Sequence, residues 1–594
     1  MANIMNMVNL KNNVHRSGFD LSRRNCFTAK VGEILPVMCE EVLPGDKWRI
    51  NLREFMRTAP VQTATFGRVR QYYDFYFVPY NLLWDKWESW IMQTKQTFHA
   101  KSITSPADEF PTHPWISLNQ MLLCLDNMHD DGMDWYVDYH KSGRVVEEQD
   151  AYNSTCRLLS YLGYPITHSN GLATSDLALN PFPLLAYQKI YQDYFRWSQW
   201  EDAAPWTYNL DYILSKDQLK LDLGPYLSGA SRSEVNLFSM RYCNLDKDYF
   251  NGLLPSPQYG DTAIAGPLSG TFAVPQASLN WDKAHPLNIN FSAPQISSSQ
   301  GAAGLVIQPH DGVVHNQTET PYNGALVSTY PNTKPQVPAQ VVNSNSLGLS
   351  ILLLRQAEAL QKWKEITLSG DLDYKTQLQK HWNVNVSDDN SYMCKYLGGI
   401  ANNIDISEVI NTNLVDASSE ADIHGKGISA SDGFINFSSH QYGLIMCVYH
   451  VKPILEWNAD NVLPRLLTKT KATDYAIPEF DSIGMQSVLV GEFAYDTSLN
   501  SLWRSPAGYA PRYIDYKTSF DVVHGEFQDS LKAWVLNRQL ALDISSVYYK
   551  TFKVQPDCLD NMFGLSSSEA DQFRCSAYLN MKVVRNLDRD GLPY

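Results

Sequence analysis

The densest cluster of chemistry-bearing side chains lies between Asp126 and His140, where Asp126, Asp130, Asp131, Asp134 and Asp138 stand with His129 and His140. Carboxylates spaced in this way are what a calcium loop uses. In that register the run starts at Asn127, with His129 and Asp131 at the third and fifth positions, Gly132 at the sixth and Asp138 at the twelfth. The first ligand should be Asp, the third an oxygen donor and the last a bidentate Glu, so the stretch reads as a solvated acidic loop. Gly425-Lys426-Gly427-Ile428-Ser429-Ala430 has the glycine spacing that lets a backbone approach a pyrophosphate. That chemistry needs a buried strand before the glycines, and Ser418 to His424 is polar, so the match reads as chance within a Gly-Ser loop. Glu40 and Glu41 could supply the carboxylate pair of a glycosidase, but neighbours on a strand point to opposite faces and cannot flank one bond. The 14 histidines form no HExxH, and neither a GxSxG elbow nor a Walker loop is present. The residues therefore describe a chain that is not an enzyme and that calls for no metal or cofactor.

Charge offers a second kind of chemistry. The 594 residues carry a formal net charge of −15, which excludes a nucleic-acid binder that is basic throughout and leaves only local contacts possible. The first thirty residues run the other way, with Lys11, Arg16, Arg23, Arg24 and Lys30 against Asp20 alone. This is either a basic arm that meets nucleic acid or a solvated tail. The charged fraction, 19%, falls below the roughly 25% usual for soluble proteins, so much of the polar surface must be uncharged. Aromatics reach 12%, with 34 Tyr and 15 Trp, which suits extensive contact surfaces and would equally suit a carbohydrate-binding β protein. Nine cysteines without a CxxC pair predict reduced thiols rather than a disulfide framework. No secretory leader and no run of about 18 apolar residues stands out, so the expectation is a soluble chain without membrane insertion, made and kept in the cytoplasm.

The elements that would position these residues are mostly strands. Gly32 to Leu52 predicts a hairpin, with Leu43-Pro44-Gly45-Asp46 as its turn and Trp48, Ile50 and Leu52 alternating against Lys47, Arg49 and Asn51. Tyr72 to Val78 is an aromatic strand closed by Pro79, and short strands are predicted at Tyr442 to Val451 and Ser487 to Tyr495. Strands near both ends of so long a chain imply that distant segments pair in one β-structure whose connections carry large insertions. Two helices are expected in those insertions. Leu83, Trp87, Trp90 and Ile91 make one apolar stripe, and Leu349 to Ile366 follows the possible caps Ser344, Asn345 and Ser346, with Glu358 and Lys362 one turn apart. Core packing is the expected role of both. Ser256 to Asn345 differs from its surroundings, with about six charged residues and about ten prolines among Ser, Asn, Gln, Gly and Thr. Such a segment is either an ordered, loop-rich excursion with a function or disordered.

Several blocks resemble the major capsid proteins of the gokushovirus-like Microviridae. They are Arg16-Ser17-Gly18-Phe19-Asp20-Leu21-Ser22, Phe27-Thr28-Ala29-Lys30-Val31-Gly32-Glu33, Glu41-Val42-Leu43-Pro44-Gly45-Asp46, Tyr72-Tyr73-Asp74-Phe75-Tyr76-Phe77-Val78-Pro79-Tyr80 with Leu82-Leu83-Trp84, Leu253-Leu254-Pro255-Ser256-Pro257-Gln258, and Gly508-Tyr509-Ala510-Pro511-Arg512-Tyr513. They span most of the chain in order, and together they are far more specific than any one block. The sequence departs from the family at His381-Trp382-Asn383-Val384, where a Phe-Gly pair would follow the histidine.

The resemblance implies a mainly β chain folded as a single eight-stranded jelly-roll β-barrel of the viral capsid type, with long helix- and loop-containing insertions. Residues 31–594 would form that domain from distant segments, residues 1–30 an internal N-terminal arm, and residues 256–345 a surface insertion at a threefold protrusion. About sixty copies would meet at two-, three- and fivefold contacts in a T=1 icosahedral shell around a circular single-stranded DNA genome. The virion would be assembled in the host bacterial cytoplasm, and the surface insertion would attach to a host-cell receptor. A small basic DNA-packaging peptide and other minor virion proteins would be partners. For DNA contact the candidates are Arg16, Arg23 and Arg24, which could instead pair with carboxylates of neighbouring subunits. A carbohydrate-binding β protein is the alternative function.

Overall fold

The computed structural model describes residues 15–63, 65–92, 113–122, 148–165, 177–214, 221, 237–260, 351–387, 391–410, 423–495, 502–538, 552–563 and 570–589, with short strand pairs alone between 261 and 350. The chain divides into two compact units, Met1–Gly260 with Trp363–Tyr594, and Asp261–Lys362. In the smaller unit, Leu287–Asn288, Val306–Ile307 and Val314–His315 form one antiparallel ladder, and Phe272–Ala273 pairs with Val341–Val342.

The larger unit is built on ten strands: β1 (Ser17–Asp20), β2 (Arg23–Ala29), β3 (Leu35–Val42), β4 (Lys47–Thr58), β5 (Arg68–Pro79), β6 (Lys395–Asn403), β7 (Asp405–Ile410), β8 (Ile423–Ser438), β9 (Gly443–Ile454) and β10 (Phe573–Arg585). One six-stranded antiparallel sheet has the order β1-β10-β4-β8-β7, and β2 continues the β1 edge along β10. The other has the order β6-β5-β9-β3 and is antiparallel throughout. Distant segments therefore pair as expected: β10 lies against β4, with Leu579 opposite Leu52, and β9 against β5, with Ile445 opposite Phe77.

Alternation explains why the sheets face each other. In β4, Trp48, Ile50, Leu52 and Met56 are buried while Lys47, Arg49, Arg53, Phe55 and Arg57 are exposed, the period of two that a half-buried strand requires. Each large apolar side chain so buried contributes roughly 1.5–3 kcal/mol. β5 and β9 are buried along most of their length and read as near-continuous hydrophobic runs. The inner faces meet through rings: Phe27 packs edge-on against Tyr73 and Tyr449, and Phe77 lies 4.9 Å from Phe437. The Glu54 carboxylate enters the space between the sheets. Glu54 Oε1 accepts from Gln71 Nε2 at 2.7 Å, Asn402 Nδ2 at 3.2 Å, Ser429 Oγ at 3.3 Å and Ser431 Oγ at 3.2 Å, which binds both sheets through polar contacts.

Two expectations need correction. The turn at Leu43–Asp46 forms, with Gly45 at φ +87° and Leu43 N donating to Asp46 Oδ2, but β3 and β4 do not pair as a hairpin. β3 joins β9 and β4 joins β10 and β8, so the turn carries the chain from one sheet to the other. Both flanking strands expose an apolar face to the same core, and a flat hairpin would have left one of those faces in water. The second correction concerns helices. The stripe at Leu83, Trp87, Trp90 and Ile91 packs on the core, through a 3-10 turn at Tyr80–Leu82 and α1 (Trp87–Met92), with Leu83, Trp84 and Trp87 buried. The helix predicted at 349–366 is present as Ile351–Leu368 but is not a core helix, since Leu354, Leu360 and Trp363 are all exposed. Of its later apolar residues, Leu360 and Trp363 face solvent and only Leu368 at its end is buried, so no continuous buried stripe runs along the described part. Its proposed caps lie outside the described residues.

Candidate nucleic-acid and assembly surfaces

The outer face of the six-stranded sheet follows from register. Side chains opposite one another across β8, β4, β10 and the β1–β2 edge form rows: Ile428, Arg57, Arg574, Thr28; then Ala430, Phe55, Ser576, Cys26; then Asp432, Arg53, Tyr578, Arg24. Farther along come Phe434, Asn51 and Asn580, then Asn436, Arg49, Lys582 and Asp20, and last Ser438, Lys47, Val584 and Gly18. Seven cations occupy this face against Asp20, Asp432 and the edge residue Asp405, which stands opposite Ile428. Arg53 lies 3.5 Å from Asp432, with both side chains more than half exposed, a pair worth little in water. Among the described residues, Lys47, Arg49, Arg57 and Arg574 touch no carboxylate. Arg57 stacks on Phe55 at 5.1 Å, and Phe55, Phe434 and Tyr578 present exposed rings between the charges, Phe434 at 66% exposure. At one end the face opens into a depression of about 720 Å³ lined by Phe19, Asp20, Lys47, Arg49, Asn436 and Lys582.

The three arginines singled out from the sequence sit at one edge of this sheet and do not converge. Arg16 donates from Nη2 to Gly45 O at 2.7 Å. Arg23 turns toward the other sheet and pairs with Glu40 at 2.6 Å, within its own chain. Arg24, its neighbour on the strand, turns to the outer face, where Nε donates to Ser576 Oγ at 3.0 Å. Glu41 accepts from Tyr80 Oη, so Glu40 and Glu41 do point apart. Gly425–Ala430 lies within β8, paired with β7 and β4, and no helix follows it; the match is fortuitous, although the segment is a strand and not the loop expected. Asp126 to His140 lies outside the described residues.

A second surface is apolar. The segment between β9 and β10, joined by Phe250 from the connection between β5 and β6, builds a satellite core around Phe250, Trp457, Val488 and Phe493, over the pairing of Met485–Leu489 with Pro506–Pro511. The predicted strand at Ser487 to Tyr495 thus stops early, and Val490–Glu492 is a 3-10 turn in which Glu492 accepts from Leu489 N and from Arg465 Nη2 at 2.6 Å. Outside this core, Leu466, Leu467, Tyr475, Phe480, Ile483 and Tyr516 are exposed, Leu466 at 71%. Lys517 holds Asp481 at 2.6 Å and Lys469 holds Asp515, so the segments carrying these residues are tied together. Exposed large apolar residues clustered on a framed surface mark protein contact.

Buried titratable groups serve structure. His450 stacks on Tyr72 at 4.9 Å, and its Nδ1 lies 3.8 Å from Asp74. Burial, with Lys452 adding to it, holds the His450 pKa well below the ordinary histidine range, so the ring is neutral and the contact is no ion pair. Burial also raises Asp74 to about 6, against the lowering effects of the Tyr396 hydroxyl and Lys452. The eight described cysteines are free thiols. Among the described residues no group of His, Cys, Asp or Glu is placed to hold a metal ion, and no helix is long and apolar enough to cross a membrane.

Two sheets closed over one core and a framed, exposed apolar surface are the features of a structural protein that assembles through its surface. The comparison with known families agrees: residues 8–117 and 155–593 match the family described as capsid protein (F protein), and the chain belongs to that family. Among its relatives is capsid protein VP1 of Chlamydia phage 1, 23% identical over 98% of this chain and 96% of that protein. Capsid protein VP1 of Bdellovibrio phage phiMH2K is also 23% identical, over 88% of this chain and 85% of that protein. The gokushovirus-like resemblance therefore holds over most of the chain, and the protein is a structural component of a virion that assembles with itself, not an enzyme.

Proposed function

We propose that the chain forms a T=1 icosahedral shell of about sixty copies around a circular single-stranded DNA genome, through a single eight-stranded jelly roll. The observation that carries the reading is strand order. Taking β2, β3, β4, β5, β6, β8, β9 and β10 as first to eighth, one sheet runs first, eighth, third, sixth and the other fifth, fourth, seventh, second. That is the pairing of two interlocked Greek keys, the arrangement of capsid jelly rolls. The exposed apolar cluster around Leu466 and Ile483 supports contact between copies, because a subunit in a closed shell must bury several interfaces at once. Residues 1–30 belong to the inner side, and residues 256–345 form a surface protrusion that meets the host receptor. Arg16, Arg23 and Arg24 are the arm's candidates for DNA contact, and assembly occurs in the host cytoplasm with minor virion proteins. Particle mass and electron microscopy test the reading. Closed shells of about 4 MDa of this chain, about sixty times 67.4 kDa, are expected. Discrete small oligomers, as the carbohydrate-binding alternative requires, would sink it.

A further inference from the structure

We propose that the outer face of the six-stranded sheet is a sequence-tolerant binding surface for single-stranded nucleic acid, its cations meeting phosphates and its rings stacking on bases. The identity of the polyanion rests on the capsid reading above; the surface itself rests on geometry.

Seven cations face three carboxylates here in a chain whose total is −15, so the charge of this face opposes that of the whole molecule. Register sets Arg57 directly opposite Arg574 and Arg49 directly opposite Lys582. Like charges opposed across strands destabilise a sheet, and an anionic ligand lying over them removes that cost. Phe55, Phe434 and Tyr578 stand among these cations, and Tyr578 has Arg53 and Arg24 on either side in the same row. Exposed rings interleaved with cations are what an unpaired strand needs, since its bases are free to stack, whereas a duplex offers this face only phosphates. The depression beside Lys47, Arg49 and Lys582 is of the size that takes a small ligand, and it gives one or two nucleotides a place at the end of the track. An acidic protein would satisfy the cations but would leave three rings without a partner of matching shape. Arg24 belongs to this surface, whereas Arg23 is committed to Glu40 on the opposite side.

The test measures binding of a labelled oligothymidylate of about 15 nucleotides to dissociated full-length subunits, with polyglutamate as the competing polyanion. One variant carries Arg53→Gln, Arg57→Gln and Arg574→Gln; a second carries Phe434→Ala and Tyr578→Ala. A charge-matched control carries Lys471→Gln, Arg504→Gln and Lys532→Gln. The arginine variant is expected to bind about tenfold or more weakly, with the slope of log affinity against log salt reduced by about 2, as loss of three phosphate contacts to a single strand requires. The ring variant is expected to lose about tenfold for oligothymidylate and nothing for polyglutamate. Urea midpoints should not fall in either variant, and relief of the Arg57–Arg574 opposition should hold or raise that of the arginine variant. Unchanged binding in the two face variants, or equal loss in the control, would overturn the proposal. So would polyglutamate binding as strong as that of oligothymidylate and equally indifferent to the rings. A further variant with Arg16 and Arg23 changed to Gln, which leaves the face residue Arg24 in place, tells the arm from the face: loss of binding in it alone moves the contact to the arm. Particle formation is scored separately. Shells that assemble without binding DNA through this face refute the inference alone, whereas failure of the wild-type chain to form shells refutes the capsid reading.

Discussion

At the scale of single residues, the pair Asp74 and His450 shows burial acting on two ionisable groups in opposite senses. Burial keeps His450 neutral and raises Asp74 to about 6, with the Tyr396 hydroxyl donating to Asp74 Oδ1 at 3.0 Å. A carboxyl whose folded pKa is raised costs stability when ionised, so its burden is full above pH 6 and disappears as pH falls toward the unfolded value near 4. Asp74→Asn is therefore expected to raise the urea midpoint of dissociated subunits at pH 8, by an amount that shrinks through pH 6 and vanishes near pH 4. A constant difference across that range would refute the assignment. His450 has the other sign: its neutral form is favoured in the fold, so stability falls as pH drops below the unfolded value near 6.5. With Asp74 replaced, acid destabilisation should become steeper, because the opposing carboxylate no longer offsets the histidine.

At the scale of elements, what the sequence revealed depended on whether hydropathy and burial agreed. β4 was legible because Trp48, Ile50 and Leu52 alternate with charges, and β5 because Tyr72 to Val78 is ring upon ring. β8 was not legible because its pattern is inverted over much of its length: Gly427, Ser429, Ser431 and Gly433 face inward while Ile428 and Phe434 face out, and only Ile435 and Phe437 restore the ordinary alternation. The small residues belong where the sheets approach most closely. A Cβ at Gly433 would collide with Ile400 Cδ1 and stand 2.6 Å from its Cγ1. Gly433→Leu should therefore cost about 1–3 kcal/mol by overpacking, and Ile400→Ala in the same chain should recover part of it. Equal losses with and without Ile400→Ala would show that the site is not limited by this contact. β10 alternates as cleanly as β4, yet its partners lie more than five hundred residues earlier, and only the register places Arg574 opposite Arg57. Hence Arg24 was legible as a candidate from local charge, while the rows around it were not, because they come from four strands remote in sequence. The Leu43–Asp46 turn misled for a related reason: a tight turn fixes where the chain reverses, not which sheet each strand joins.

At the scale of the whole molecule, charge decides what a filled particle must contain. In the proposed shell about sixty chains at −15 would carry about −900 formal charges, and each packaged nucleotide would add one more negative charge. The proposed basic sheet face would meet phosphates locally, but the remainder of each chain is more acidic than −15, so shell and contents would repel in net terms. Positive charge from outside this chain must accompany the genome, whether a small basic peptide, polyamines or metal cations. The expected outcome is that filled particles carry such a component in an amount that scales with the DNA, while empty shells of the same chain do not. Mass spectrometry for peptides, with elemental and amine analysis of both particle types after gel filtration, measures it directly. Exchanging small cations away by dialysis should expel DNA or swell the particle if they supply the charge, and should leave it unchanged if a peptide does. Filled particles that contain only this chain and DNA, and that hold their genome at low salt without multivalent cations, would show that local contacts of the sheet face suffice and that the charge argument fails.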